Sequence, residues 1–444
     1  MKRRTFIKKS GLAVAGFFAA PYLLPSGRLF AKTGTRLSNH VVFLLFGGGL
    51  RNQESVHKNY LTFDSDEGQS YAGPSGNIMP NIFSGTEPTS NLIYNKFTPI
   101  LSTPLALQGT LFKEVRYTTG PTGHYNGHTV AMTGNYTNTG LNLNVNPEMP
   151  TVFEYYRKHT DPAKSAMNAW WISEGLGPYP SLNYSRHLSY GAQYGANYLC
   201  PTVAFSQEGY DHFYNFETFH PNVVKIRDFL NNNFGKSAAD LPGVQNSDDD
   251  RELIKNFMKD MLDKSVNSPQ SISFPPVPDS FLSGDIMTIG YACEVLKAFK
   301  PELTVINMFD VDICHNEFSS YVQNLHRADF AIGHLWNVIK GISGMEDTIL
   351  IIMPEHGRNK KPNTLYDDKG LRAYDHTSDD NSREVFTMIA GNSGVVKQGI
   401  EVGDSTSPVG ESIDIVPTIA TILGFKDDIS SGMLPGRHLE EAFV

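Results

Sequence analysis

Residues 348–358 read TILIIMPEHGR, an apolar run from Ile349 to Met353 that ends on Glu355, His356 and Gly357. The run does not alternate with polar residues. It therefore predicts a strand covered on both faces, as in the parallel sheets of α/β proteins. The signature recurs along the chain. HVVFLLFGGGLRNQ (40–53) predicts a buried strand running into a glycine-rich turn. NAWWIS (168–173), LTVINMF (303–309) and VFTMIAG (385–391) predict three more. Strand neighbours face opposite ways, so the pair Trp170-Trp171 predicts one core residue and one facing outward. Helical spacing marks 150–159, where Pro-Thr precedes Val152, Phe153 and Tyr156. It returns at 220–233, 250–264, 286–299, 317–342 and 411–425, with Ser and Asp of QNSDDDREL (245–253) as N-caps. Residues 55–113 and 176–218 carry no period and read as loops. Helices alternating with buried strands predict a three-layer α/β/α sandwich around a central, mostly parallel sheet.

Composition narrows the function. The chain has 444 residues, 40% hydrophobic and 11% aromatic, enough for a large core. A net charge of −9, with no basic patch beyond the N-terminus, argues against a nucleic-acid partner. The start, MKRRTFIKKSGLAVAGFFAAPYLLPSGRLFAKT, has a cationic head, an apolar stretch from Leu12 to Leu24 and a small residue at Ala31. That order predicts an export signal at 1–31, removed to leave a single domain at 32–444. Arg3-Arg4 with Phe6 resembles a twin-arginine signal, which implies a periplasmic or cell-surface protein of a bacterium. No other apolar run is long enough to cross a membrane. Three cysteines, Cys200, Cys293 and Cys314, are too few and too odd in number for a disulfide framework.

Ligands in parallel sheets gather at the carboxyl ends of the strands, and three acid-plus-histidine groups fall beside buried strands. LTVINMF runs into Asp310, Asp312 and His315; the next strand ends at Glu355-His356; Asp375-His376 precede VFTMIAG. Carboxylate oxygen and neutral imidazole suit divalent ions such as zinc or manganese.

The order of these groups resembles the alkaline phosphatase superfamily, which includes sulfatases. Asp312 with His315 (Asp310 as a rival), Glu355-His356-Gly357 and His376 fall where that family binds two divalent metals. PTVFEYYRK, the DIVPT of helix 411–425 and LPGRHL (434–439) are similar to other family segments. The resemblance implies a metal-dependent hydrolase of a small phosphate or sulfate ester. Asp312, His315 and His376 would hold one ion, and His356 with Glu355 the second. The family's first metal ligand, an Asp, is replaced by Gly48 in FGGGLRNQES, where Glu54 or Asn52 follows in the turn. The family's nucleophilic hydroxyl falls, in TTGPTGHYNGHTVAMTGNY, on His124, with Thr122 the nearest hydroxyl before it. Thr122 or His124 is thus expected to supply or position the nucleophile, and His128 and Arg358 to contact the substrate anion. The missing Asp and hydroxyl equally suit a catalytically degenerate relative with a binding or surface-assembly role.

Overall fold

The computed structural model describes residues 35–444 apart from 64, 70, 73, 74, 139–144, 161–165, 175–180, 206–243 and 378. The expected export signal and the helix at 220–233 lie outside the described residues.

The first half of the chain supplies β1 (Val41–Phe46), the hairpin β2 (Thr62–Phe63) and β3 (Tyr71–Ala72), β4 (Gly109–Phe112), α1 (His124–Thr133), α2 (Val152–His159), β5 (Ala169–Ser173), β6 (Asn197–Leu199) and the single turn α3 (Pro201–Ala204). Then follow α4 (Asp248–Asn267), α5 (Gly284–Phe299), β7 (Leu303–Met308), α6 (Phe318–Lys340), β8 (Ile349–Pro354), β9 (Thr387–Ala390), β10 (Ile400–Val402) and α7 (Ile415–Ile422). Eight strands form one sheet in the order β10-β4-β9-β8-β1-β7-β5-β6. All neighbours run parallel except at β9, which is antiparallel to both β8 and β4. The expected α/β architecture with a mostly parallel sheet is what the chain adopts.

The central strands are apolar throughout because both faces are covered. Val42, Leu44 and Phe46 of β1 enter a core shared with α4, α5 and α6, while Val41, Phe43 and Leu45 enter a second core with α1, α2 and α7. For the same reason both tryptophans of β5 are buried, Trp170 in the first core and Trp171 in the second. The expectation that one would face outward fails because β5 is not a surface strand. At α2, Thr151 and Glu154 form a capping box: the Glu154 carboxylate accepts the Thr151 N–H at 2.7 Å, and the Thr151 hydroxyl accepts the Glu154 N–H.

Several elements were not marked by the sequence pattern, β4, β6 and α1 among them. Strands β4 and β6 are four and three residues long, too short to show a period, and are held by long-range pairing. Helix α1 is buried along nearly its whole length and so lacks a polar face.

The register sets up the site. Phe46 at the end of β1 pairs with Met308 of β7 and Pro354 of β8, so three strands finish level with one another. The residues immediately beyond them, Gly47–Gly49, Asp310–His315 and Glu355–His356, therefore leave the sheet along one edge. Since β9 is reversed, its beginning lies at that same edge, and the loop carrying His376 arrives there too.

Candidate metal centre

Two groups of ligand atoms converge at this edge. One is His124, Asp312, His315 and His376; the other is His124, Glu355 and His356. Within each group the ligand atoms lie within 4.8 Å of one another. Three of the four side chains of the outer group, His124, Asp312 and His315, are 17–27% exposed, so it opens to solvent. Glu355 and His356 are wholly buried behind it.

The imidazoles are oriented through their other ring nitrogen, as metal-bound histidines usually are. His376 Nδ1 sits 2.6 Å from the Thr122 carbonyl, so it carries the proton and leaves Nε2 with a lone pair. His315 Nδ1 donates to Asp375 Oδ1 at 2.8 Å, and its Nε2 lies 3.2 Å from Asp312 Oδ1. His356 Nδ1 donates to the Gly357 carbonyl at 2.8 Å. His124, the first residue of α1, places Nδ1 2.8 Å from Glu355 Oε1 and Nε2 3.4 Å from Asp312 Oδ1. The rings of His356 and His376 stack with centroids 4.0 Å apart.

Electrostatics prepares these groups for a cation. Burial, with Arg358, His124 and His315 nearby, pushes the His376 imidazole down to about 3, so it is neutral at physiological pH. Burial, with His376, His124 and Arg358 nearby, holds His356 far below the usual imidazole range despite Glu355. Burial opposes ionisation of Asp312, but His315, Arg358 and His124 outweigh it and hold the carboxyl at about 2. Burial also disfavours protonated His315, yet its contacts with Asp312 and Asp375 raise its pKa above the ordinary value. A divalent ion binding there takes the place of that proton. One carboxylate and three imidazoles at mutual separations of this size are the donor set zinc or manganese prefers. The residues present fit a divalent ion.

The other predicted site residues sit differently. Asp310 is not in either group: its carboxylate accepts the Asp285 N–H at the start of α5. Thr122 is buried, and its hydroxyl donates to the His376 carbonyl and lies 3.1 Å from Ser382 Oγ, so it holds the His376 loop. His128, expected to meet substrate, is wholly buried between Glu355 Oε2 and Asn307 Oδ1, the latter at 3.0 Å. Arg358 is also wholly buried. Its guanidinium donates to Gly49 O at 3.2 Å, Tyr374 O at 2.8 Å, Gly48 O and Asp312 Oδ1 at 2.8 Å. It braces the glycine turn against Asp312, buried away from where a substrate anion would enter. Glu54 turns away to Arg51, 3.5 Å distant, and burial lifts its carboxyl to about 7. Cys314 is a buried thiol outside both groups, raised to about 12 by burial.

Gly48 has φ +95°, and a Cβ there would lie 2.6 Å from the Cβ of Asp312. The turn thus leaves no room for the carboxylate the family carries. Glu355 occupies that side of the site instead, accepting the Gly48 N–H at 2.5 Å; the extra methylene relative to Asp gives it the reach.

Sequence reasoning missed Asn307 and Asn363. Asn307 is a polar residue inside the apolar run of β7, and that interruption was its signal. Asn363 Nδ2 donates to the His315 carbonyl at 2.9 Å and approaches Asp375 Oδ1 at 3.3 Å. It lies in an irregular loop and gave no signal.

No protein-family model and no curated protein matches this sequence. Solved structures do. A protein in the alkaline phosphatase superfamily from Vibrio parahaemolyticus shares 13% identity at a TM-score of 0.46, over 92% of this chain and 71% of that one. Wild-type alkaline phosphatase PafA shares 11% at 0.46, over 92% and 99%. Lipoteichoic acid synthase LtaP from Listeria monocytogenes shares 13% at 0.34, over 89% and 73%. At these identities and scores the likeness says nothing of the chemistry at the site.

Proposed function

We propose that this chain is an exported metal-dependent hydrolase of small phosphate or sulfate esters, with a zinc or manganese ion held by Asp312, His315, His376 and His124. One observation carries the reading. The imidazoles of His376 and His315 are fixed through Nδ1, one by a carbonyl and one by a carboxylate, so that Nε2 faces a partly exposed carboxylate. Arg358 meets Asp312 from the buried side, and the imidazole nitrogens gathered on its other side need a proton or a metal ion between them and the carboxylate.

A bound ion would polarise an ester oxygen or lower the pKa of a water. The chain's own residues orient and exclude. Asp375 and Thr122 set the imidazole directions, Arg358 fixes Asp312, and the buried wall of His356 and Glu355 closes the side away from solvent. Export to the periplasm or cell surface follows from the N-terminal segment, and a small ester fits the acidic chain better than a nucleic acid. Among the described residues no helix is long and apolar enough to cross a membrane.

A second reading, a catalytically degenerate relative with a binding or surface-assembly role, is favoured by one specific feature. His124 stands at the head of α1 where the resemblance places a hydroxyl, and the Thr122 hydroxyl is spent on His376. Metal analysis of protein purified without added metal, followed by assays on aryl phosphate, phosphodiester and aryl sulfate, separates the two. Bound ion with turnover supports the hydrolase; bound ion without turnover of any of the three supports the binding protein.

A further inference from the structure

We propose that the centre holds one divalent ion, in the outer group alone, and that Glu355, His356 and His128 form a protein-only backing rather than a second metal site. The inference deepens the metal-site reading above and rests on it.

The inner group is already closed by hydrogen bonds. Glu355 Oε1 accepts the Gly48 N–H at 2.5 Å and the His124 Nδ1–H at 2.8 Å. Glu355 Oε2 meets His128 Nδ1. His128 faces oxygen acceptors at both ring nitrogens: Nδ1 is 2.8 Å from the His124 carbonyl and Nε2 is 3.0 Å from Asn307 Oδ1. The Asn307 amide nitrogen is directed to Ser173 Oγ, which leaves its oxygen for His128. Both nitrogens of His128 are thus taken up by oxygen partners, Glu355 among them, and neither is turned to a metal ion. A divalent ion on Glu355 would have to displace these hydrogen bonds in a largely buried space, with no second carboxylate in the group to offset its charge.

His124 and His356 lead to the same count. Nδ1 of His124 carries its proton toward Glu355, so only Nε2, on the Asp312 side, has a lone pair to offer. The lone pair of His356 Nε2 meets the same His124 N–H at 3.3 Å. An additional ligand cannot enter at Gly48, where a Cβ would collide with Asp312. The outer group stays open. It has the Asp312 carboxylate and imidazole nitrogens, with Asp375 behind His315, against the one guanidinium of Arg358.

The test is the number of zinc ions bound per chain. Metal-free full-length protein is titrated with Zn²⁺ by calorimetry and by equilibrium dialysis. One ion per chain is expected. Asp312→Asn removes it, and Glu355→Gln or His356→Gln keeps it with affinity weakened about 10- to 100-fold. Two ions in the wild type, falling to one in His356→Gln, overturn the inference and leave the hydrolase reading standing. One ion without turnover of any ester upholds the inference and overturns the hydrolase reading. No ion overturns both. Should a variant fail to fold, the wild-type count decides on its own.

Discussion

Asp375→Asn isolates the orientation of His315 from the stability of the fold. The Asp375 carboxylate receives the His315 Nδ1–H at 2.8 Å, with Asn363 Nδ2 at 3.3 Å, and its side chain is 44% exposed. Asparagine keeps an oxygen for both donors and removes the charge. Two consequences differ in size. A pair this exposed contributes about 0–1 kcal/mol to stability, so the thermal midpoint of the metal-free variant moves little. The carboxylate also raises the basicity of the ligating nitrogen. Partners of this kind are worth about 10- to 100-fold in metal affinity, or about 1.4–2.7 kcal/mol at 1.36 kcal/mol per decade. Retained geometry puts the expected loss near the lower end, about tenfold. Zinc affinity is read by competition with a chromophoric chelator, and stability by thermal unfolding without metal. Unchanged affinity would show that His315 is not a ligand. Equal losses of affinity and metal-free stability would show that Asp375 acts on the fold alone.

Two further expectations concern buried charge. His128→Leu leaves Glu355 ionised and without its cation, at a cost of about 3–5 kcal/mol in urea unfolding of the metal-free protein; a loss under about 1 kcal/mol would mean that the two do not form an ion pair. Glu174, just past β5, is raised to about 7 by burial, against hydrogen bonds from Thr202. Its neutral form is favoured in the fold, so the wild type gains stability as pH falls from about 8 to about 4.5, by about 3 kcal/mol from this group. Glu174→Gln should lack that gain, and parallel pH profiles of unfolding free energy for the two proteins would refute the burial argument.

The layered sheet was legible in the sequence because doubly covered strands need unbroken apolar runs, as in Val41–Phe46 and Ile349–Met353. The long amphipathic helix at Phe318–Lys340 was legible for the corresponding reason, its apolar stripe against one face of the sheet. Glu355 and His356 could be placed at a strand end because they directly follow such a run, and His315 because it lies in the turn just after another.

What the sequence left open depended on direction and partner. His376 precedes its strand, so in a wholly parallel sheet it would stand at the opposite edge; the reversal of β9 brings it to His315. Arg358 and His128 looked like groups for a substrate, and packing buried both, one against Asp312 and the glycine turn, the other against Glu355. Asp310 and Asp312 share a face only in an extended chain, and the 3-10 turn at Asp310–His315 sends them apart. Local pattern determines which segments are strands and where chemistry-bearing residues leave them. Which of those residues meet, and which proton each carries, is decided by contacts hundreds of positions apart that no local period encodes.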